Sequence, residues 1–169
     1  MADMYAIFGS LILVGISYPA LLTAWWLLFP ERVEKARVRI SEKPKRSFGF
    51  GLLYGAIAAI PTVILFTLPS QFTQVLGWIW LVLVLGAASL GAAGIAAEIG
   101  LRLNWKNDGS YQSQGAFIRG AGILELASVF PIIGWLLFIP IGTLVSLGGA
   151  VPVIFIKKEK EEPKEKAAK

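Results

Sequence analysis

Cysteine and histidine are both absent from the 169 residues. Without cysteine there is no disulfide, no thiolate nucleophile and no thiolate metal site. Without histidine, the usual ligand for haem and zinc in membrane bundles is missing. Phosphate-loop, dinucleotide and Ser-His-Asp signatures are missing as well. The sequence therefore predicts no cofactor, no metal centre and no enzyme.

Charge is absent over long stretches. No charged residue falls within 5–29 or 48–97, and 120–156 holds only Glu125. Each stretch matches or exceeds the ~20 apolar residues that cross a bilayer. Hydrophobic residues make up 56% of the chain and the mean hydropathy is +0.67. Soluble domains run nearer 45–50% apolar. The excess belongs on lipid-facing surface, so the expectation is one membrane domain. The longest polar connections, 30–47 and 101–114, are too short to bury a core of their own.

The expected fold is all-α, a polytopic transmembrane helix bundle of about five spans. They are placed at 5–29, 48–68, 76–100, 116–130 and 135–156, with a charged tail at 157–169 that composition marks as disordered. The start of the chain carries Asp3 and no basic residue before the first run, so a cleavable signal peptide is not expected. Pro19 and Pro61 fall inside the first two spans, where proline kinks a helix. The run 115–156 would be about 63 Å long as one helix, twice the hydrocarbon thickness. The segment Pro131-Ile-Ile-Gly134 interrupts it, giving two full spans or one re-entrant hairpin.

The net charge is +5, with its sixteen basic residues in three groups. Seven are Arg32, Lys35, Arg37, Arg39, Lys43, Lys45 and Arg46, and these are the expected contacts with lipid headgroups. Three are Arg102, Lys106 and Arg119. The last six lie in 157–169. Basic flanks of apolar spans have a simpler cause than nucleic acid, which is not expected as a partner. The positive-inside rule puts all three groups in the cytoplasm. That requires an outside N-terminus, an even number of passages after residue 114, and an inside C-terminus. The localisation expected is the cell membrane, inner where there are two, with several passes. Segment 31–40 spaces Val33, Ala36, Val38 and Ile40 in an imperfect helical pattern, consistent with a short amphipathic helix on the headgroups.

Three features carry candidate chemistry or contacts. Glu125 is an acid deep in an apolar run, by default a functional-site hypothesis. Structurally it could instead bond a hydroxyl or a carbonyl freed at a proline break. Arg119, six residues earlier, is poorly spaced to pair with it within one helix. Glu98 and Arg102, four apart, are spaced for an intrahelical ion pair. Small residues form close-packing faces at Ser89, Ala93 and Ala97, and at Gly51 and Gly55. These can pack within one chain or against a partner subunit or second copy.

Pro30-Glu-Arg-Val-Glu, Lys43-Pro-Lys-Arg-Ser-Phe-Gly-Phe-Gly-Leu-Leu, Phe130-Pro-Ile-Ile-Gly-Trp-Leu and Gly148-Gly-Ala together resemble a membrane region associated with bactofilin-type, polymer-forming cytoskeletal proteins of prokaryotes. The repetitive β-helical filament domain of those proteins is missing from this sequence. The resemblance implies a membrane-anchoring or scaffold module and brings no catalytic residues. The functional expectation is a non-enzymatic scaffold, anchor or accessory subunit whose partners are lipids and other membrane subunits. The alternative is a small transporter or channel component built on Glu125 and the break at Pro131–Gly134.

Overall fold

The computed structural model describes residues 2–104, 114–130 and 132–155, and the side chains of 15–103, 114–130 and 132–154. The expected tail at 157–169 and residues 105–113 of the expected 101–114 connection lie outside these residues. Among the described residues the fold is all-helical. Its helices are α1 (Ala2–Leu28), α2 (Pro30–Glu42), α3 (Pro44–Thr67), α4 (Gln71–Asn104), α5 (Gln114–Val129) and α6 (Ile139–Phe155). A π-helical turn, Gly134–Phe138, leads into α6. Among the described residues three segments are long and apolar enough to cross a membrane: α3, Gln71–Leu103 of α4, and Gly134–Ile154.

The breaks between α1, α2 and α3 come from proline. Pro30 and Pro44 open their helices, where a missing N–H costs nothing. The residue before a proline is driven out of the helical region by clash with the ring. Phe29 and Lys43 accordingly take φ −135° with ψ of 57° and 61°. Each junction is one residue, so the expected 30–47 connection is almost entirely helical. α2 is amphipathic, as its spacing suggested. Yet Val33 and Ala36 are buried, and the helix packs on α4 and α6.

Helix α4 is the axis of the fold and touches every other α-helix. Its 34 residues span about 51 Å, well beyond the hydrocarbon thickness. It starts five residues earlier than the expected 76, because the uncharged segment after Pro69 is already helical. Ser70 supports that start, its carbonyl accepting from Thr73 Oγ1 at 2.7 Å and from the Gln74 N–H at 3.1 Å.

Small residues set the helix spacing. A methyl group on Gly51 would lie 1.7 Å from the Leu144 carbonyl oxygen, and one on Gly91 would lie 2.0 Å from that of Ser146. Backbones meet directly there, which lets dispersion and weak Cα–H···O contacts hold the helices. The same close approach occurs between Gly148 and Ser47, Gly100 and Ala116, and Gly120 and Ala96. Among the described residues eight of the fourteen buried hydrophobic ones are alanines, while Leu, Ile, Phe and Trp side chains dominate the exposed surface. This distribution suits lipid, where burying a large apolar side chain brings no hydrophobic gain.

Two of these crossings fix directions. Gly51 meets Leu144 and Ser47 meets Gly148, so α3 and α6 run antiparallel. Gly100 meets Ala116 and Ala96 meets Gly120, so α4 and α5 are antiparallel too. α5, the π turn and α6 therefore form a hairpin, and its two outer ends lie near the C-terminal part of α4. α2 lies at that same end, with Ala36 beside Gly94 and Ile40 beside Gly149. The turn at the opposite end, Leu68–Ser70, carries no charge.

Candidate functional site

Two polar assemblies stand out in this apolar bundle. The first locks α2 to α4. Positions 33, 37 and 41 lie on one face of α2, a turn apart. Val33 enters the core formed by α1, α4 and α5. Arg37 and Ser41 beside it reach Glu98 on α4. Arg37 Nη1 donates to Glu98 Oε2 at 2.8 Å, and Ser41 Oγ donates to Oε1 at 3.2 Å. Arg102 Nε donates to Oε1 at 2.9 Å from within α4. Arg37 Nε also donates to Glu34 Oε2 at 2.9 Å. The Arg37 pKa is raised further above its ordinary value, first by the bond to Glu34, while burial opposes and Glu98 assists. Arg37 therefore stays charged. Of the seven cations assigned to headgroups, this one is held by Glu34 and Glu98.

The expected pair of Glu98 with Arg102 is present, but it is the outer part of a larger group. The Arg37 and Glu98 side chains retain only 20% and 17% of their exposure, against 73% for Arg102. The half-buried bond between helices matters more than the exposed one within a helix.

The second assembly is a cavity of about 470 Å³ between α1, α4, α5 and α6. Its polar lining is Tyr18, Ser89, Glu125, Ser128, Thr143 and Ser146, set among leucines, alanines and isoleucines. Some of these hydroxyls are engaged. Ser89 Oγ accepts from Trp25 Nε1 at 2.7 Å and donates to the Gly86 carbonyl at 2.8 Å. Ser128 Oγ donates to the Leu124 carbonyl at 2.9 Å. Glu125 is half-buried at the cavity wall. Arg119 is exposed and makes no ion pair with Glu125 among the described residues.

The hairpin turn lies beside this cavity. A methyl group on Gly134 would lie 2.5 Å from the Ser128 carbonyl oxygen, so the turn closes only with glycine there. The Ile139 N–H donates to the Gly134 carbonyl, five residues back. That wider register precedes Pro140, which has no N–H to continue an α-helical ladder.

The small-residue positions fall at two kinds of place. Ser89 and Ala93 are buried on α4, and Ala97 is half-buried beside them. Gly51 faces the α6 backbone, and Gly55 lies against the Leu144 side chain. Sequence reasoning missed the Trp25–Ser89 bond and the Arg37–Ser41–Glu98 group. A signal for the second existed: Arg37 and Ser41 share a face with Val33, and Glu98 ends a 50-residue run without charge.

Comparison with family models, with curated proteins and with solved structures found no match for the chain.

Proposed function

We propose that the chain is a non-enzymatic integral membrane protein that acts as an anchor or scaffold, with α2 as its working platform at the cytoplasmic face. One observation carries this reading: α2 is clamped onto α4 through Arg37, Ser41 and Glu98 and packed on α6. A merely floating surface helix has no need of such a clamp. The bactofilin-like motifs support the same reading. Two of them fall on the proline junctions that open α2 and α3, one on the hairpin turn, and one on the α6 face that meets α3. In this reading the platform and the charged tail serve partners, which are other membrane subunits or further copies of this chain.

The topology we propose has an outside N-terminus, with α1, α3 and α4 as spans and the α5–α6 hairpin entering and leaving from the inside. Spacing along the helices supports a re-entrant hairpin over two full spans. From Gly51, which faces Leu144, α3 runs 16 residues to Thr67, or about 24 Å. From Leu144 back to Gly134 the hairpin covers ten residues, or about 15 Å. Its turn stops roughly 9 Å short of the outer end of α3 by the same rise per residue. The residues there are apolar and bare: Ile132 is 76% exposed and Leu136 is 80% exposed. Surrounded by acyl chains, they are at home.

A second reading, a small transporter or channel component, draws on the Glu125 cavity beside the broken hairpin. Proton or cation flux in proteoliposomes separates the two. The scaffold reading predicts no specific flux from wild type, together with a stoichiometric partner or self-association that survives Glu125→Gln. A wild-type flux abolished by Glu125→Gln, with the fold intact, would overturn it in favour of transport.

A further inference from the structure

A groove of about 430 Å³ opens at the corner where α2 turns into α3. Four cations line it: Lys35 and Arg39 on α2, Lys43 at the junction, and Arg46 on α3. Two acids line it as well, Glu34 and Glu42. Glu34 is already paired with Arg37. Against the four cations that leaves only Glu42, so the groove is strongly positive.

The cations form two pairs. Lys35 and Arg39 are four apart on one face of α2. Lys43 and Arg46 are three apart across the start of α3. The corner between them is braced: the Lys43 N–H donates to the Arg39 carbonyl at 3.2 Å, and the Arg39 guanidinium lies over Phe50 at 5.5 Å from the ring centroid. Below the cations the surface becomes apolar. Phe50 stacks on Tyr54 at 6.2 Å, and Leu53 and Ile57 follow on the same side of α3, both more than half exposed.

We infer that this groove is a discrete binding site for an anionic phospholipid with two phosphates in its headgroup. Each cation pair takes one phosphate, and an acyl chain runs down α3 past Phe50, Leu53 and Ile57. Basic pockets between helices at the cytoplasmic face are suited to such headgroups. The volume, about 430 Å³, lies in the range of small-molecule sites and accommodates a bulky headgroup. A soluble diphosphate would use the cations but not the apolar track, and the track favours the lipid. The inference rests on the α2 end lying at a membrane surface, as proposed above. It does not depend on the scaffold role or on which side is cytoplasmic.

The test is native mass spectrometry of the full chain in detergent, titrated separately with diphosphatidylglycerol, phosphatidylglycerol, phosphatidylcholine and inorganic pyrophosphate. Sidedness plays no part in detergent, so failure here is separable from failure of the topology. The expected result is one diphosphatidylglycerol per chain, bound at least about fivefold tighter than phosphatidylglycerol. No discrete adduct is expected with phosphatidylcholine or pyrophosphate. Arg46→Gln should weaken binding about fivefold, and Arg39→Gln with Arg46→Gln about 25-fold, at roughly one factor per charge removed. Arg102→Gln, a charge-matched change at the same end but outside the groove, should leave it within twofold. Equal binding of phosphatidylcholine, or equal weakening by Arg102→Gln, would overturn the site. Phosphatidylglycerol binding as tightly as the two-phosphate lipid would overturn the headgroup assignment. Pyrophosphate binding as tightly as the lipid would overturn the lipid as occupant. Arg46 is exposed, so its variant keeps the test open if the double variant fails to fold.

Discussion

A single methyl group separates the glycines that hold this bundle together from those that do not. At Gly91 it would strike the Ser146 carbonyl at 2.0 Å, whereas at Gly86, five residues earlier on α4, it would meet nothing within 4 Å. Gly91→Ala should therefore destabilise the protein by about 1–2 kcal/mol, overpacking outweighing the helix-propensity gain. Gly86→Ala should be neutral or stabilise by up to ~1 kcal/mol. Thermal unfolding in detergent measures both, and a Gly91→Ala protein as stable as wild type would contradict the close crossing. The charged residues divide in the same way. Glu98→Gln weakens the half-buried bond to Arg37 and should cost about 1–2 kcal/mol, since bonds to charged groups are worth more than neutral ones. Arg102→Gln removes an exposed partner and should cost less than ~0.5 kcal/mol. Equal losses in the same unfolding assay would show that the two bonds do not differ as described. Some of this was legible in sequence. Gly51 and Gly55 stand in a small-xxx-small pattern, and Glu98–Arg102 has pair spacing. Gly100 and Gly120 stand in no Gly-xxx-Gly pattern, and Gly148 is marked in sequence only as part of the Gly148-Gly-Ala motif. In α4 nearly every residue from Gly86 to Ala97 is small, so composition alone cannot say which glycine meets another backbone.

At the scale of elements, uncharged length and proline placement foretold the helices well. The helices of 71–104 and 114–129 differ from the expected 76–100 and 116–130 mainly at their ends. The residues added at 71–75 and 114–115 are uncharged and give hydropathy no edge to detect, while at the other end α4 continues past Gly100 through Arg102, which is paired with Glu98. The largest departure is α2. Its amphipathic spacing was visible, but two partners suit such a face equally in sequence: headgroups or other helices. Only tertiary contacts distinguish them, and they put Val33 and Ala36 against protein. The seat of α1 has a comparable hidden determinant in the Trp25–Ser89 bond, made 64 residues apart. A double-mutant cycle with Trp25→Phe and Ser89→Ala should give a coupling of about 0.6–1.5 kcal/mol in detergent stability. Strict additivity would mean that the bond does not help hold α1 to α4. The cavity around Glu125 was half legible: the acid and the helix break could be read, but Tyr18, Ser89, Thr143 and Ser146 come from other helices and only the fold assembles them.

At the scale of the whole molecule, the main feature is polarity from end to end. α2, the C-terminal part of α4, the start of α5 and the end of α6 share one end, which holds the described cations, while the Leu68–Ser70 end has none. The account rests on that end being cytoplasmic and on the α5–α6 hairpin returning to it. The native chain has no cysteine, so single cysteines can be read without background. The decisive measurement is labelling of Ser70→Cys, Gln114→Cys and Ile132→Cys in intact cells and in inverted vesicles with a membrane-impermeant thiol reagent. The account predicts that position 70 labels only from outside, position 114 only from inside, and position 132, at a hairpin turn surrounded by acyl chains, from neither. Positions 70 and 114 labelling from the same side would contradict it.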